Sequence, residues 1–327
     1  MSINIYIQIK LKNILIYRTG SLGDTIVSLP AIQLIKNINP DCKIYYLCVK
    51  NLDSDAVSPL KILKKVKLVD HFLEIKKINN LKNLYKSIKI LKQIKINKFY
   101  YLNEDRSKLN KLRDYLYFKF LLNCKIYGLN IFKKNNKYYE GFYLADKVMK
   151  ISFKEFNKLN NNLSMKMRKN IGLSKFFKNS NYITISPGGR IMEKRWNITN
   201  WKILIKKIIS KNNNIKIVLL GTKKDKFQNI KISNQFKKNI LNFTGKTSFG
   251  SLISIINSSK LHICHDDGTM HLAILLQKKV LSIFHNIDFK EKWFQGHNSN
   301  HIQLYSPNGV NGIKVQSVFS SFLKIEK

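Results

Sequence analysis

Apolar positions recur along the chain in two periods, and their alternation predicts an architecture. A short apolar run at 14–17 (ILIY) ends in a polar, glycine-bearing turn at 18–24, and helical spacing follows over about 25–37. Pro40-Asp41 marks a turn. A second run at 43–49 (KIYYLCV) then completes a strand, helix and strand unit, which requires a parallel sheet. The spacing further predicts a short strand at 69–75, a lysine-studded helix at 81–95 and a strand at 98–102. A helix follows at about 107–122, with Leu112, Tyr115, Leu116 and Lys119 at core-and-flank spacing.

Between about 130 and 180 the pattern weakens, and the runs 133–137 and 157–162 read as solvated loops or a linker. The rhythm then restarts. Strands are expected at 182–186, 215–220, 261–264 and 280–284, with helices at 199–210, about 249–258 and 270–276. Turns lie at 187–189 and 266–269. Two α/β domains in tandem follow, divided near residue 170, with no repeat at solenoid period. Trp196, Trp201 and Trp293 are expected at domain edges.

Composition narrows the classes. A chain of 327 residues, 44% hydrophobic and 11% aromatic, can bury two cores and is not disordered. The formal charge of +40, from 59 Lys+Arg against 19 Asp+Glu, raises nucleic acid or an anionic membrane as a partner. Only six basic residues are arginines, however, and Lys, Asn and Ile crowd every stretch, the signature of drift towards AT-rich codons. Lysines are spread along both halves of the chain rather than gathered in one block, and no tryptophan sits in an aromatic-basic ladder that would stack bases. Cys42, Cys48, Cys124 and Cys264 form no CxxC pair and read as reduced thiols. No apolar run reaches the roughly 18 residues that span a bilayer, and the N-terminus carries no cleavable apolar leader, so a cytoplasmic location is expected.

Three loops, each between a predicted strand and a predicted helix, carry candidate chemistry. In Arg18-Thr19-Gly20-Ser21-Leu22-Gly23-Asp24 the glycines permit close backbone approach to a ligand, and Asp24 reads either as a helix cap or as a chemical group. The loop is neither GxGxxG nor GxxxxGK[ST], against a dehydrogenase and a P-loop kinase. The segment 186–196 (SPGGRIMEKRW) brings Arg190, Lys194 and Arg195 near a helix start, either a diphosphate site or solvated basic background. The segment 265–271 (HDDGTMH) offers the N–H groups of residues 268–271 to an anion. A metal reading of His262, His265, Asp266, Asp267 and His271 is weakened by odd spacing, which sends His262 and His265 to opposite faces of a strand.

Taken in order, these segments resemble one family, the ADP-heptose:lipopolysaccharide heptosyltransferases and their relatives in glycosyltransferase family 9. The matching stretches are ILIYRTGSLGDTIVSLPAIQLIKNINPDCKIYYL at 14–47, ISPGGRIMEKRWNITNWKILI at 185–205, VLLG at 218–221, TGKTSFGSLISIINSSKLHICHDDGTMHLAILLQKKVLSIF at 244–284, and Trp293. The resemblance spans both domains. It implies a GT-B fold, two Rossmann-like domains with parallel sheets facing across a cleft. Residues 1–170 would bind the acceptor and 171–311 the nucleotide sugar, while 312–327 would return to the first domain. It implies an inverting transfer of heptose, or a related sugar, from a donor such as ADP-heptose to the lipopolysaccharide inner core. No cofactor and no metal are implied. By the resemblance Asp24 is the general base. Arg18, Gly23, Gly189, Arg190, Lys194, Thr247, Asp266, Gly268, Thr269, Met270 and His271 lie at donor-binding positions. The expected partners are the nucleotide sugar, a lipid A-core acceptor and, peripherally, the inner-membrane surface; no nucleic acid is expected, and the chain would act as a monomer.

This sequence departs from the family pattern at three points. Asp267 stands where Ser or Thr is usual, adding a negative charge beside the expected diphosphate. The turn at 188–190 is Gly-Gly-Arg, without small hydroxyls. After Gly221 comes Lys223-Lys224-Asp225 rather than a glutamate for the ribose. Two other readings stand beside the enzyme: a lysine-rich protein binding nucleic acid or an anionic membrane, and a decayed transferase that binds nucleotide sugar without turnover.

Overall fold

The computed structural model describes residues 12–50, 55–76, 81–104, 107–129, 139–169, 171–172, 181–293 and 300–326. The first sheet contains β1 (Asn13–Tyr17), β2 (Lys43–Val49), β3 (His71–Ile75), β4 (Ile96–Tyr101) and β5 (Lys125–Tyr127). It is parallel in the order β3-β2-β1-β4-β5. Its helices are α1 (Leu22–Asn37), α2 (Pro59–Val66), α3 (Leu81–Lys92) and α4 (Lys108–Leu122), followed by α5 (Glu140–Val148) and α6 (Phe153–Arg168).

The second sheet contains β6 (Tyr182–Ser186), β7 (Lys216–Leu219), β8 (Ile240–Asn242), β9 (Leu261–His265), β10 (Lys279–Phe284) and β11 (His301–Tyr305). It is also parallel, ordered β11-β10-β9-β6-β7-β8. Its helices are α7 (Ile198–Lys211), α8 (Lys226–Ser233), α9 (Phe249–Ser258), α10 (Gly268–Leu275), α11 (Ile287–Trp293) and α12 (Val315–Glu326).

Central strands of such sheets are covered by helices on both faces and so read as continuous apolar runs. In β1, Ile14 and Ile16 enter the core shared with α1, while Leu15 and Tyr17 enter the core on the other face with Phe99 and Phe118. Both sheets reverse strand order beside their first strand, at β1/β4 and at β6/β9. Ligands of open α/β sheets bind beyond the C-terminal ends of strands at such a reversal. The loops after β1, β6 and β9 are the three singled out by sequence.

Several expectations are corrected. Residues 157–162, expected as loop, lie inside α6, whose Ser152/Glu155 capping box and Phe156, Leu159, Leu163 and Met167 supply the start and the buried face. The run 133–137 lies outside the described residues. In α4 the helical period holds but the phase is turned: Lys111, Asp114, Phe118, Leu121 and Leu122 are buried, while Leu112 and Leu116 face outward. Asp114 is drawn inward by the Tyr101 hydroxyl, which donates to it at 2.7 Å. Trp196 and Trp201 are core residues of the second domain, stacked edge to face. The C-terminal segment does not return to the first domain: Val318, Phe322 and Ile325 of α12 join the core formed with Trp201 and Leu204 of α7. The bridging element is α6, which touches α1 and α2 on one side and α9 and α10 on the other. The expected division near 170 falls between the two sheets.

Candidate active site

The loop after β1 places Asp24. Helix α1 starts at Leu22, three residues earlier than expected, with Ser21 as N-cap; Asp24 is therefore the third helical residue rather than the cap. Its Oδ2 accepts the Ser21 N–H at 3.0 Å. Gly20 makes the approach possible, because at its φ of +124° a Cβ would lie 2.3 Å from the Asp24 carboxyl carbon. The Asp24 side chain keeps 24% exposure and faces the cleft.

Behind it lies Arg18, only 1% exposed, with Nη2 3.6 Å from Asp24 Oδ1 and Nη1 3.6 Å from Glu140 Oε1. Nη1 also donates to the Leu102 carbonyl at 2.7 Å. Burial raises the Glu140 pKa, and the Arg18 guanidinium opposes that shift. Arg18, expected among the donor contacts, does not line the cleft; it is the buried counter-charge of two carboxylates.

The donor-side loops converge opposite. Lys194 donates to Asp266 Oδ2 at 2.5 Å, joining the loop after β6 to the loop after β9. Arg195 curls back: Nε donates to the Gly189 carbonyl at 2.7 Å and Nη2 pairs with Asp225 at 3.2 Å. Asp225 also accepts from the Thr222 N–H and hydroxyl, at 2.8 and 2.9 Å, so it braces two loops rather than standing free for a ribose. Arg190 is exposed at the cleft edge, and Thr247 lines the cleft just before α9.

At the start of α10, Asp267 is the N-cap and turns away from Lys194 and Arg190. Its Oδ1 accepts from the N–H groups of Thr269 and Met270, at 2.7 and 3.1 Å, and from the Thr269 hydroxyl. Two of the N–H groups expected to face an anion are thereby occupied. Met270, expected at the donor, is a fully buried core residue and does not line the cleft. Burial pushes the Asp267 carboxyl up to about 6.

The histidines separate as odd spacing requires. His262 lies between the Thr184 and Thr269 hydroxyls, 2.9 Å from each. His265 Nε2 accepts from the Trp196 N–H at 2.9 Å, which leaves Nδ1 to donate to the Gly188 carbonyl at 2.9 Å and fixes a neutral tautomer. Burial holds His262 near about 3 and His265 near about 4, and lowers His271. Among the described residues no three His, Cys, Asp or Glu side chains are grouped to hold a metal ion.

The two halves meet tightly. A Cβ on Gly23 would lie 2.9 Å from the His271 ring, and one on Gly268 would lie 2.9 Å from Leu22 Cβ. The starts of α1 and α10 thus abut, and around them opens a cleft of about 680 Å³ lined from both domains. Sequence reasoning missed the Glu104 and Lys292 pair across this cleft, at 2.9 Å, and the buried Glu140. Neither belongs to a motif; Trp293, which follows Lys292 and packs on His271, was the nearest signal.

Two Rossmann-type sheets, each presenting its strand-order reversal to one shared cleft, define the GT-B fold. Residues 137–311 match the model of glycosyltransferase family 9 (heptosyltransferase). Lipopolysaccharide heptosyltransferase 1 of Campylobacter coli is 29% identical over 297 residues, covering 83% of each chain. E. coli heptosyltransferase WaaC with ADP superposes with a TM-score of 0.70 at 13% identity, over 96% of this chain and 100% of that one. The family 9 glycosyl transferase of Veillonella parvula gives 0.66 at 17% identity, over 96% and 97%. The chain belongs to glycosyltransferase family 9, the heptosyltransferase family, and is a glycosyl-transferring enzyme.

Proposed function

We propose that the enzyme moves heptose from ADP-heptose to the lipopolysaccharide inner core by single displacement with inversion. The acceptor hydroxyl oxygen bonds to the anomeric carbon, the bond from that carbon to the diphosphate breaks with its electron pair leaving on ADP, and Asp24 takes the hydroxyl proton. Lys194, held by Asp266 at the cleft, and the exposed Arg190 meet the departing diphosphate charge. The N–H of Gly268 adds to them at the start of α10, where the His271 side chain also lines the cleft. Gly23, Gly189, Thr269 and Thr247 shape the walls, with Thr247 towards the adenosine. The donor is a substrate, and no cofactor takes part. The enzyme works as a monomer at the cytoplasmic face of the inner membrane, where its lipid-linked acceptor lies.

The observation that carries this reading is the abutting of α1 and α10, which puts a partly exposed carboxylate of the first domain at the donor side of the second. Four other carboxylates of the cleft are engaged: Glu104 by Lys292, Asp225 by Arg195, Asp266 by Lys194, and Asp267 by its helix. Asp24→Asn retains an oxygen for the Ser21 N–H. It should lower the melting temperature modestly, since the buried Arg18 loses one of its two counter-charges, and keep ADP binding while lowering turnover by roughly 10²–10⁴-fold, the usual contribution of a positioned base. Turnover at wild-type rate would reject the assignment. A thermal-shift series with ADP-, UDP- and GDP-sugars tests the nucleotide.

A further inference from the structure

The outward face of α4 carries a feature that catalysis does not use. Leu109, Leu112, Leu116 and Phe120 are 80%, 42%, 58% and 83% exposed. Their spacing of three, four and four residues aligns them in one stripe along the helix, opposite the buried Lys111, Asp114 and Phe118. Exposed Lys108, Arg113 and Lys119 flank the stripe. Beside it α3, tied to α4 by the Ser87 and Tyr117 hydroxyls at 2.7 Å, presents Tyr85 at 68% exposure. The same helix presents exposed Lys82, Lys86, Lys89 and Lys92, and its sequence contains no acidic residue.

We infer that this α3 and α4 face is the surface by which the enzyme seats on an anionic lipid bilayer, with the α4 stripe entering the headgroup layer. Aligned large apolar side chains with cationic borders are what an interfacial helix presents to acidic lipid, and the lysines of α3 extend the charge match across the neighbouring helix. A stripe meant for a protein groove would not call for so one-signed a border. The placement also serves access. Helix α4 begins four residues after Glu104, which lines the cleft, so the stripe runs from the cleft mouth on the first-domain side. This deepens the proposal of a lipid-linked acceptor and rests on it for its biological sense, but its test needs no substrate.

The full-length protein is sedimented with vesicles of phosphatidylcholine, with and without phosphatidylglycerol, over a salt series. Binding is expected only with phosphatidylglycerol, falling as salt rises. Leu116→Gln combined with Phe120→Ser should lower the partition coefficient at least tenfold at every salt concentration. Lys108→Gln combined with Lys119→Gln should flatten the salt dependence. Both pairs are exposed, so the melting temperature should hold, as should turnover on a delipidated acceptor. Absence of binding to anionic vesicles at low salt, or binding unchanged in the stripe variant, overturns the inference. So does a dimer in solution that the stripe variant dissolves, since the face would then belong to a second copy. Vesicle binding by the wild-type protein that the stripe variant loses, together with no heptosyl transfer by the wild type, would instead fault the proposed reaction and leave the surface standing.

Discussion

Asp267→Asn should stabilise the protein at neutral pH and tighten its hold on ADP. Asp267 caps α10 through one carboxyl oxygen, which accepts from two backbone N–H groups and one hydroxyl, and an asparagine oxygen can accept the same bonds. What asparagine lacks is the charge. Burial raises the carboxyl from 3.8 to about 6, so above pH 6 the folded state carries an ion it would rather protonate. The sign follows from proton binding: between 3.8 and about 6 the folded state binds more protons than the unfolded state, so wild-type stability falls as pH rises through that window.

At about 1.4 kcal/mol per pKa unit the ionised form costs about 3 kcal/mol. The favourable field of the helix N-terminus offsets roughly 0.3–1 kcal/mol of this, and partial exposure offsets more. A net gain of about 1–2 kcal/mol for the asparagine variant at pH 8 is expected, roughly 2–8 °C in melting temperature for domains of this size. The gain should shrink steadily on acidification and vanish near pH 4. For ADP, one negative charge fewer beside the proposed diphosphate position should strengthen binding; at a separation of roughly 7 Å the effect would be ~0.6 kcal/mol even at the screening of bulk water, about threefold in affinity. Thermal melts of both proteins from pH 4 to 8, and calorimetric titration with ADP at pH 8, read both effects. A difference independent of pH, or an asparagine variant less stable at pH 8, would refute the reasoning.

The buried triad and the braced turn give further tests. Glu140→Gln leaves the Arg18 charge facing Asp24 alone. At 3.6 Å and an effective dielectric of about 20, the lost Glu140–Arg18 attraction is about 4–5 kcal/mol before desolvation is counted. Stability should drop by a measurable fall in melting temperature, and an unchanged melting temperature would refute the buried ion-pair reading. Gly188→Ala places a Cβ 2.3 Å from Asp225 Oδ1. It should cost roughly 1–3 kcal/mol of stability and, by loosening the Arg195–Asp225 brace, weaken ADP binding about tenfold; an unchanged ADP affinity would detach that brace from the donor site.

Much of this site could be read from the sequence because its parts are local. Each motif occupies a loop between a strand and a helix, and a parallel sheet with reversed strand order brings those loops together without further instruction. Asp24, Lys194, Asp266 and the Gly268 turn therefore arrive where their spacing placed them. What was illegible depends on tertiary partners. Arg18 looked like a ligand contact but is turned inward by Glu140, 122 positions further along the chain. The phase of α4 was misjudged because Asp114 has a buried hydroxyl to meet, while leucines face outward. Asn-rich α6 hid its helical period behind polar residues, although Ser152 and Glu155 announced its start. The three-residue strands β5 and β8 are too short for alternation to register. The return of the C-terminal segment to the first domain rested on the family resemblance alone, and the apolar face of α12, Val318, Phe322 and Ile325, packs in the second-domain core instead.

The two bare glycine contacts at the meeting of α1 and α10 have a mechanical meaning. At each, a glycine on one helix lets a side chain of the other, the His271 ring or Leu22, close on the backbone, so the two helix starts have no room to advance on each other. A rocking of one sheet against the other about that contact would alter the gap between Asp24 and the start of α10 less than the rims of the cleft, so that a wide swing at the rims would reach Asp24 as a small displacement.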